Sequence, residues 1–350
     1  MAVSRINEAG LNVNQYGNRN LIINGSQIVN QRGTQTVNAS ATAVYGPDRF
    51  RINAGGGIDN FVGTIAQDSD VPAGSGFSNS LKITTTTAES AIAAGEYIYL
   101  HQTIEAQNVQ QLAYGTSSAK KVTLSFWVKS TITGTFALGL YKPDSTAQIH
   151  VKTYTISSAS TWEYKTITFE ANALSGGAIA NDNGAGIEVN WHLAVGSTYK
   201  GTDTSSSWAN YSNAAWGNGQ GTDAVITTTN ATFQITGCQL EVGSQSTDFE
   251  HEPVGVTLSK CQRYFMSWNS SGLTDNIYLV TPYATGTPSN SSASAPFTFP
   301  VTMRANPTMA GTGLSLSRFT ANTHNAVMQM GSTSAGNAYS LSAWTADAEL

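Results

Sequence analysis

Val122-Thr123-Leu124-Ser125-Phe126-Trp127-Val128-Lys129 alternates apolar and polar residues, with Val122, Leu124, Phe126 and Val128 on one face. Successive side chains of an extended chain point to opposite faces, so a period of two predicts a strand with one buried face. The same alternation recurs on either side. Ile98, Leu100 and Ile104 share a parity, as do Phe136, Leu138 and Leu140. Ile187, Val189, Trp191, Leu193 and Val195 alternate with Glu188, Asn190, His192 and Ala194, and Phe297, Phe299, Val301 and Met303 repeat the pattern. Many short strands between Gly, Ser and Asn turns predict an all-β chain built of sandwiches.

One strand pattern slips. Phe233 and Ile235 have one parity; Cys238, Leu240 and Val242 have the other, with Gly237 at the junction. A one-residue slip turns every later side chain outward unless a bulge absorbs it, which predicts a β-bulge at Gly237. Leu258, Cys261 and Phe265, at i, i+3 and i+7 within Thr257 to Met266, predict a brief helix.

These patterns divide the chain into three. Residues 1–44 are polar and turn-rich with one apolar patch, Leu21-Ile22-Ile23, and read as an N-terminal arm for attachment and assembly. Residues 45–254 are long enough for one large sandwich, and residues 255–350 for a short helical connector and a smaller one. Thr285 to Pro296, low in complexity, reads as a long surface loop.

Charged residues are only 11% of the 350, against about 25% in an average protein, and the net charge is −5. Nucleic-acid binding calls for clustered Lys and Arg, and anionic membranes for a basic patch, so neither partner is expected. The chain carries 7 Trp, 14 Tyr and 12 Phe, which a disordered sequence lacks. No apolar run suits a membrane helix, and Met1 to Asn7 has no apolar signal core, so synthesis in the cytosol is expected. The two cysteines, Cys238 and Cys261, read as buried thiols rather than a disulfide framework.

Catalytic motifs are missing. His101, His150, His192, His251 and His324 are scattered, the first three on or near polar strand faces, and read as structural or solvent-exposed. Asp248-Phe249-Glu250-His251-Glu252-Pro253 is the densest acidic cluster, but it reads as a solvated linker rather than two carboxylates across a cleft. No enzyme activity and no cofactor are expected. Asp182, Asn183 and Asp203 are oxygen donors in loops, but their spacing matches no defined calcium loop, so no metal is expected. Binding is better supported. Gly201 to Gly221 holds Trp208, Tyr211 and Trp216 among Gly, Ser, Asn and Thr. Aromatic rings in a polar loop either stack on a ligand such as a sugar or fold back as a lid.

Several stretches resemble a family of phage tail-fibre and virion appendage proteins with modules like the jelly rolls of carbohydrate-binding domains. They are Asn20 to Gly25 with Gln31-Arg32-Gly33, Tyr45 to Phe50, Lys121 to Lys129, Gln239 to Gly243 with Phe249-Glu250, Cys261 to Phe265, Pro300 to Thr308 and Ala346 to Leu350. The resemblance implies a large jelly-roll-like sandwich, a smaller C-terminal module, a virion setting, a homotrimer and no catalytic residues. It implies a tail fibre or appendage that attaches to the host surface, with other virion proteins as partners; the aromatic loop, rather than the resemblance, suggests a surface glycan as a further partner. A head fibre or capsid decoration protein, a glycan depolymerase tailspike and a free carbohydrate-binding module are the competing readings.

Overall fold

A computed structural model describes residues 18–38, 43–174, 176–201, 207–222, 225–269, 277–279, 292–312, 316–331, 339–341 and 343–350. The chain divides into two compact units, which meet at Pro253 and Val254.

The first unit is two antiparallel sheets. Its strands are β1 (Gln35–Asn38), β2 (Val44–Tyr45), β3 (Arg51–Gly55), β4 (Val62–Asp68), β5 (Ser80–Thr87), β6 (Tyr97–Glu105) and β7 (Val122–Ser130), then β8 (Gly134–Lys142), β9 (Gln148–Ile156), β10 (Glu163–Phe169), β11 (Ala185–Val195), β12 (Ala209–Asn210) and β13 (Thr232–Val242). The first sheet has the order β1-β4-β5-β13-β7-β10 and the second β12-β9-β8-β11-β6-β3-β2. The chain passes repeatedly from one sheet to the other, as in a jelly roll. The alternating residues fill the space between: Val122, Leu124, Phe126, Val128, Leu138, Leu140, Val189 and Trp191 are all fully buried in one core. Each such side chain contributes roughly 1.5–3 kcal/mol of apolar transfer.

The bulge falls where the parity slips. Thr236 pairs with Trp127 and Gln239 with Ser125, so β13 gains one residue, and Gly237 has φ +62°. Phe233 and Ile235 before it and Cys238 and Leu240 after it therefore all face the core.

Residues 18–38 are not an arm. Leu21, Ile22 and Val37 belong to the sandwich core, and β1 is the edge strand beside β4. The Asn20 side chain donates to Cys238 O (3.0 Å) and accepts from Ile22 N (3.0 Å) and Leu240 N (3.1 Å). The Ile23 backbone donates to and accepts from the Gln102 side-chain amide. A patch too small for its own core is completed by the neighbouring sheets, so Leu21 and Ile22 are spent inside this chain and do not supply a subunit interface. Residues 1–17 lie outside the described residues. The motifs Asn20 to Gly25, Gln31-Arg32-Gly33 and Tyr45 to Phe50 interlock. Asn24 donates to Val29 O and Asp48 O, and buried Asp48 accepts from the backbone and side chain of Gln31.

The second unit begins with α1 (Val254–Gln262), which ends before Phe265, so that Phe265 opens a strand instead of closing the helix. Its strands are β14 (Phe265–Asn269), β15 (Ile277–Leu279), β16 (Ser292–Thr298), β17 (Thr308–Thr312), β18 (Leu316–Ala321), β19 (Asn325–Gly331), β20 (Tyr339–Leu341) and β21 (Ala343–Asp347). They form three small antiparallel sheets, β14-β21-β17, β15-β20 and β16-β19-β18. The alternation read through Met303 leaves the strand at Thr298. Phe299 and Met303 are nevertheless buried. Of the expected loop Thr285 to Pro296, residues 292–296 lie in β16 and the rest lie outside the described residues.

Candidate functional site

The outward face of the second sheet carries Arg51 and Asn53 on β3, Tyr97, Tyr99 and His101 on β6, Tyr141 on β8, and Glu188, Asn190 and His192 on β11. The alternation predicts a wet face here. Instead His101, Asn190 and His192 are buried, because residues 196–201 and 211–221 cover the sheet. That cover is fixed by Gly196 N to Glu96 O (2.7 Å), Tyr211 N to Ala147 O (2.8 Å), Gly221 N to Thr135 O (2.7 Å) and Ala137 N to the Gln220 side-chain oxygen (2.6 Å). Residues 202–206, Asp203 among them, lie outside the described residues.

Trp216, 7% exposed, is the pillar of the cover. Its ring meets Tyr99 (5.2 Å), Tyr141 (5.4 Å), His192 (5.5 Å) and Tyr211 (5.7 Å), all edge to face. Such pairings suit the ring quadrupole. Tyr97 packs edge-on against Tyr199 at 4.9 Å. Beside the pillar an open cleft of about 290 Å³ remains, lined by Tyr97, Tyr99, Tyr141, Glu188, Tyr199, Tyr211 and Trp216. Tyr211 is exposed, and Tyr97, Tyr141 and Tyr199 are half-buried.

Among the described residues Glu188 is the one carboxyl group lining this cleft. Burial pushes its pKa up to about 7, against the opposing pull of the Arg51 charge and the Thr103 hydroxyl. Burial raises the phenol pKa values of Tyr97, Tyr141 and Tyr211 too, so these hydroxyls stay neutral donors. Burial takes His192 down to about 3, and burial with Arg51 and Arg49 takes His101 well below its ordinary value; both rings are neutral. Arg51 Nε donates to His101 Nε2 at 2.7 Å, which puts the imidazole proton on Nδ1. The arrangement offers aromatic faces, phenolic hydroxyls and one carboxyl that changes charge near neutral pH.

Of the three rings read as either ligand contacts or a lid, Tyr211 and Trp216 line the cleft and Trp208 does not. Trp208 is buried in the sandwich core, its Nε1 donating to Glu170 O at 2.7 Å and its ring edge-on to Tyr114 (5.3 Å). The sequence reading missed the four other tyrosines and Glu188. Tyr97 and Tyr99 flank Ile98 at the polar parity of β6, a signal that was available. The acidic stretch is not a solvated linker either: Glu250 accepts from Asn20 N (3.0 Å), and Phe249 and His251 pack against Phe77. Among the described residues no three His, Cys, Asp or Glu side chains gather as they would around a metal ion.

No family model matches the chain, and no curated protein is similar to it in sequence. Solved structures do match the fold. The enzymatically active domain of tailspike protein 4 of bacteriophage CBA120 aligns at 15% identity and a TM-score of 0.31, over 64% of this chain and 21% of the tailspike. The chain thus spans about a fifth of that protein's length. The family 11 carbohydrate-binding module of a Clostridium thermocellum cellulosomal cellulase aligns at 10% identity and a TM-score of 0.30, over 61% of this chain and 97% of the module. The xylan-binding domain CBM22-1 of Paenibacillus barcinonensis Xyn10C aligns at 10% identity and a TM-score of 0.28, over 65% and 96%. At these scores none of them carries a functional argument.

Proposed function

We propose that the first unit binds a surface glycan in the aromatic cleft and holds it without cleaving it. One observation supports this: Tyr97, Tyr141, Tyr199 and Tyr211 present rings and hydroxyls around a single carboxyl group, Glu188, in a cleft of about 290 Å³. Ring faces cover the apolar faces of a pyranose, while phenols and the carboxyl take its hydroxyls. Glycoside hydrolysis normally uses two carboxyl groups about 5–9 Å apart, and among the described residues this cleft is lined by one. The biological setting in this reading is a virion appendage, a tail fibre or a similar part, and its support is the resemblance of the quoted motifs. Homotrimeric assembly belongs to the same reading and needs a surface other than Leu21 and Ile22.

The test is adsorption of the purified chain to bacterial cells and affinity electrophoresis through their extracted surface polysaccharide. Tyr97→Ala and Tyr141→Ala should each weaken retention while leaving the circular dichroism spectrum unchanged. Retention equal to wild type in both variants overturns the reading. Release of reducing ends from the polysaccharide overturns its non-catalytic part.

A further inference from the structure

We propose that the first unit carries a second saccharide site on the outward face of its other sheet, separate from the cleft under Trp216. A groove of about 540 Å³ lies there. Its volume falls within the range of about 300–1,000 Å³ that small-ligand sites occupy. Its floor is Ser125 and Trp127 of β7 and the bulge glycine Gly237 of β13. One wall is the exposed ring of Tyr164, 5.2 Å from Trp127. The other is a knot of three rings, Phe77, Phe249 and His251, with centroids 5.0–5.3 Å apart.

The bulge makes the floor. A Cβ on Gly237 would come within 2.6 Å of the Phe77 ring and 3.3 Å of Trp127. Absence of a side chain at that point lets both rings close on the backbone, and bulges recur where a strand must re-aim side chains beside a site. Polar groups line the same groove, including the Ser75 and Ser246 hydroxyls and, at the rim, exposed Asp248. Flat aromatic walls alternating with hydroxyl and carboxylate acceptors match a molecule with apolar faces and a hydroxyl edge, which is the chemistry of a neutral sugar chain. An uninterrupted apolar partner would strip water from the exposed Asp248 and give nothing back. Two sites on opposite faces would let one unit crosslink sugar chains, with avidity arising inside a single copy.

The test is a titration of the full chain, labelled with ¹⁵N at tryptophan, with cello-, xylo-, manno- and chitohexaose at millimolar concentration. The Trp127 and Trp216 indole signals, assigned with single Trp→Phe variants, report the two sites separately. We expect the Trp127 signal to shift and saturate with at least one hexaose, and to do so still in Tyr211→Ala. Tyr164→Ala should weaken that response at least about tenfold, since it removes one exposed wall of the groove. Asp248→Asn, a change at an exposed rim position, should weaken it as well. A Trp127 signal that none of the four hexaoses moves overturns the proposal. So does a Trp127 shift that disappears in Tyr211→Ala, because the response would then be an echo of the first cleft. Movement of Trp127 with Trp216 silent would sustain the second site and count against the first.

Discussion

Glu188 Oε2 lies 3.9 Å from His101 Nδ1 across the pair β6 and β11, too far for a hydrogen bond. The Arg51 charge is delivered to the far side of that imidazole, at Nε2. Glu188 thus sits near a cation without touching it, and burial sets its protonation.

This sets a pH dependence. The folded-state pKa of Glu188 is raised to about 7 from an ordinary value of 4.5, so the folded chain holds the proton that the unfolded chain has lost. The stabilisation is complete below about pH 4.5 and is lost as pH rises through about 7, by up to about 3 kcal/mol. Buried, neutral His101 and His192 push the other way, because the unfolded chain binds their protons below about pH 6.5, so the readout is the difference between two chains. In urea unfolding at pH 5 and pH 8, wild type should lose about 2–3 kcal/mol relative to Glu188→Gln, which should be the more stable chain at pH 8. An equal slope in both chains would refute the assignment.

Trp216 and Tyr211 should separate packing from contact. Trp216 is 7% exposed and braces four rings, so Trp216→Ala should destabilise the first unit by about 3–5 kcal/mol, the range for a large buried ring. Tyr211 is 37% exposed, so Tyr211→Ala should change stability little and weaken saccharide retention. Thermal melts and affinity electrophoresis on the same two variants check both halves.

At Gly237 two costs should be separable. Gly237→Ala places a Cβ at φ +62° and 2.6 Å from Phe77. The backbone cost alone is about 1–2 kcal/mol. The remainder is the clash, and it should vanish in a Phe77→Ala background. Denaturant unfolding of the double-mutant cycle should therefore show a positive coupling; additive effects would mean that Phe77 yields freely.

Asn20 tests whether residues 18–38 belong to the sandwich. Its side chain makes three hydrogen bonds, two of them to β13. Asn20→Ala should cost about 2–4 kcal/mol at roughly 1 kcal/mol per bond plus the backbone groups left bare. Deletion of residues 1–38 should unfold the first unit, as followed by tryptophan fluorescence. A stable, cooperative truncated chain would restore the arm.

The strands of the core were legible because a two-residue period needs only local sequence, and the bulge at Gly237 was legible because a parity slip leaves the core only one repair. The cleft was not legible for the opposite reason. Tyr97, Tyr99, Tyr141 and Glu188 occupy the polar parity of three different strands, and what closes over them comes from residues 196–201 and 211–221. Nothing local marks that a sheet face will be covered twice. Leu21 and Ile22 failed similarly. An apolar patch in a polar stretch says that something must bury it, and only the tertiary contacts say that Leu240 and its neighbours do.

The clasp of Arg19 on Asp248 O (3.1 Å) and Asn20 N on Glu250 (3.0 Å) brings the segment entering the first unit beside the segment leaving it. Tension along the chain would then run through these few bonds and bypass the two sheets. A pull on the two ends of the first unit would load the clasp first, opening slack in the line while the aromatic cleft keeps its shape.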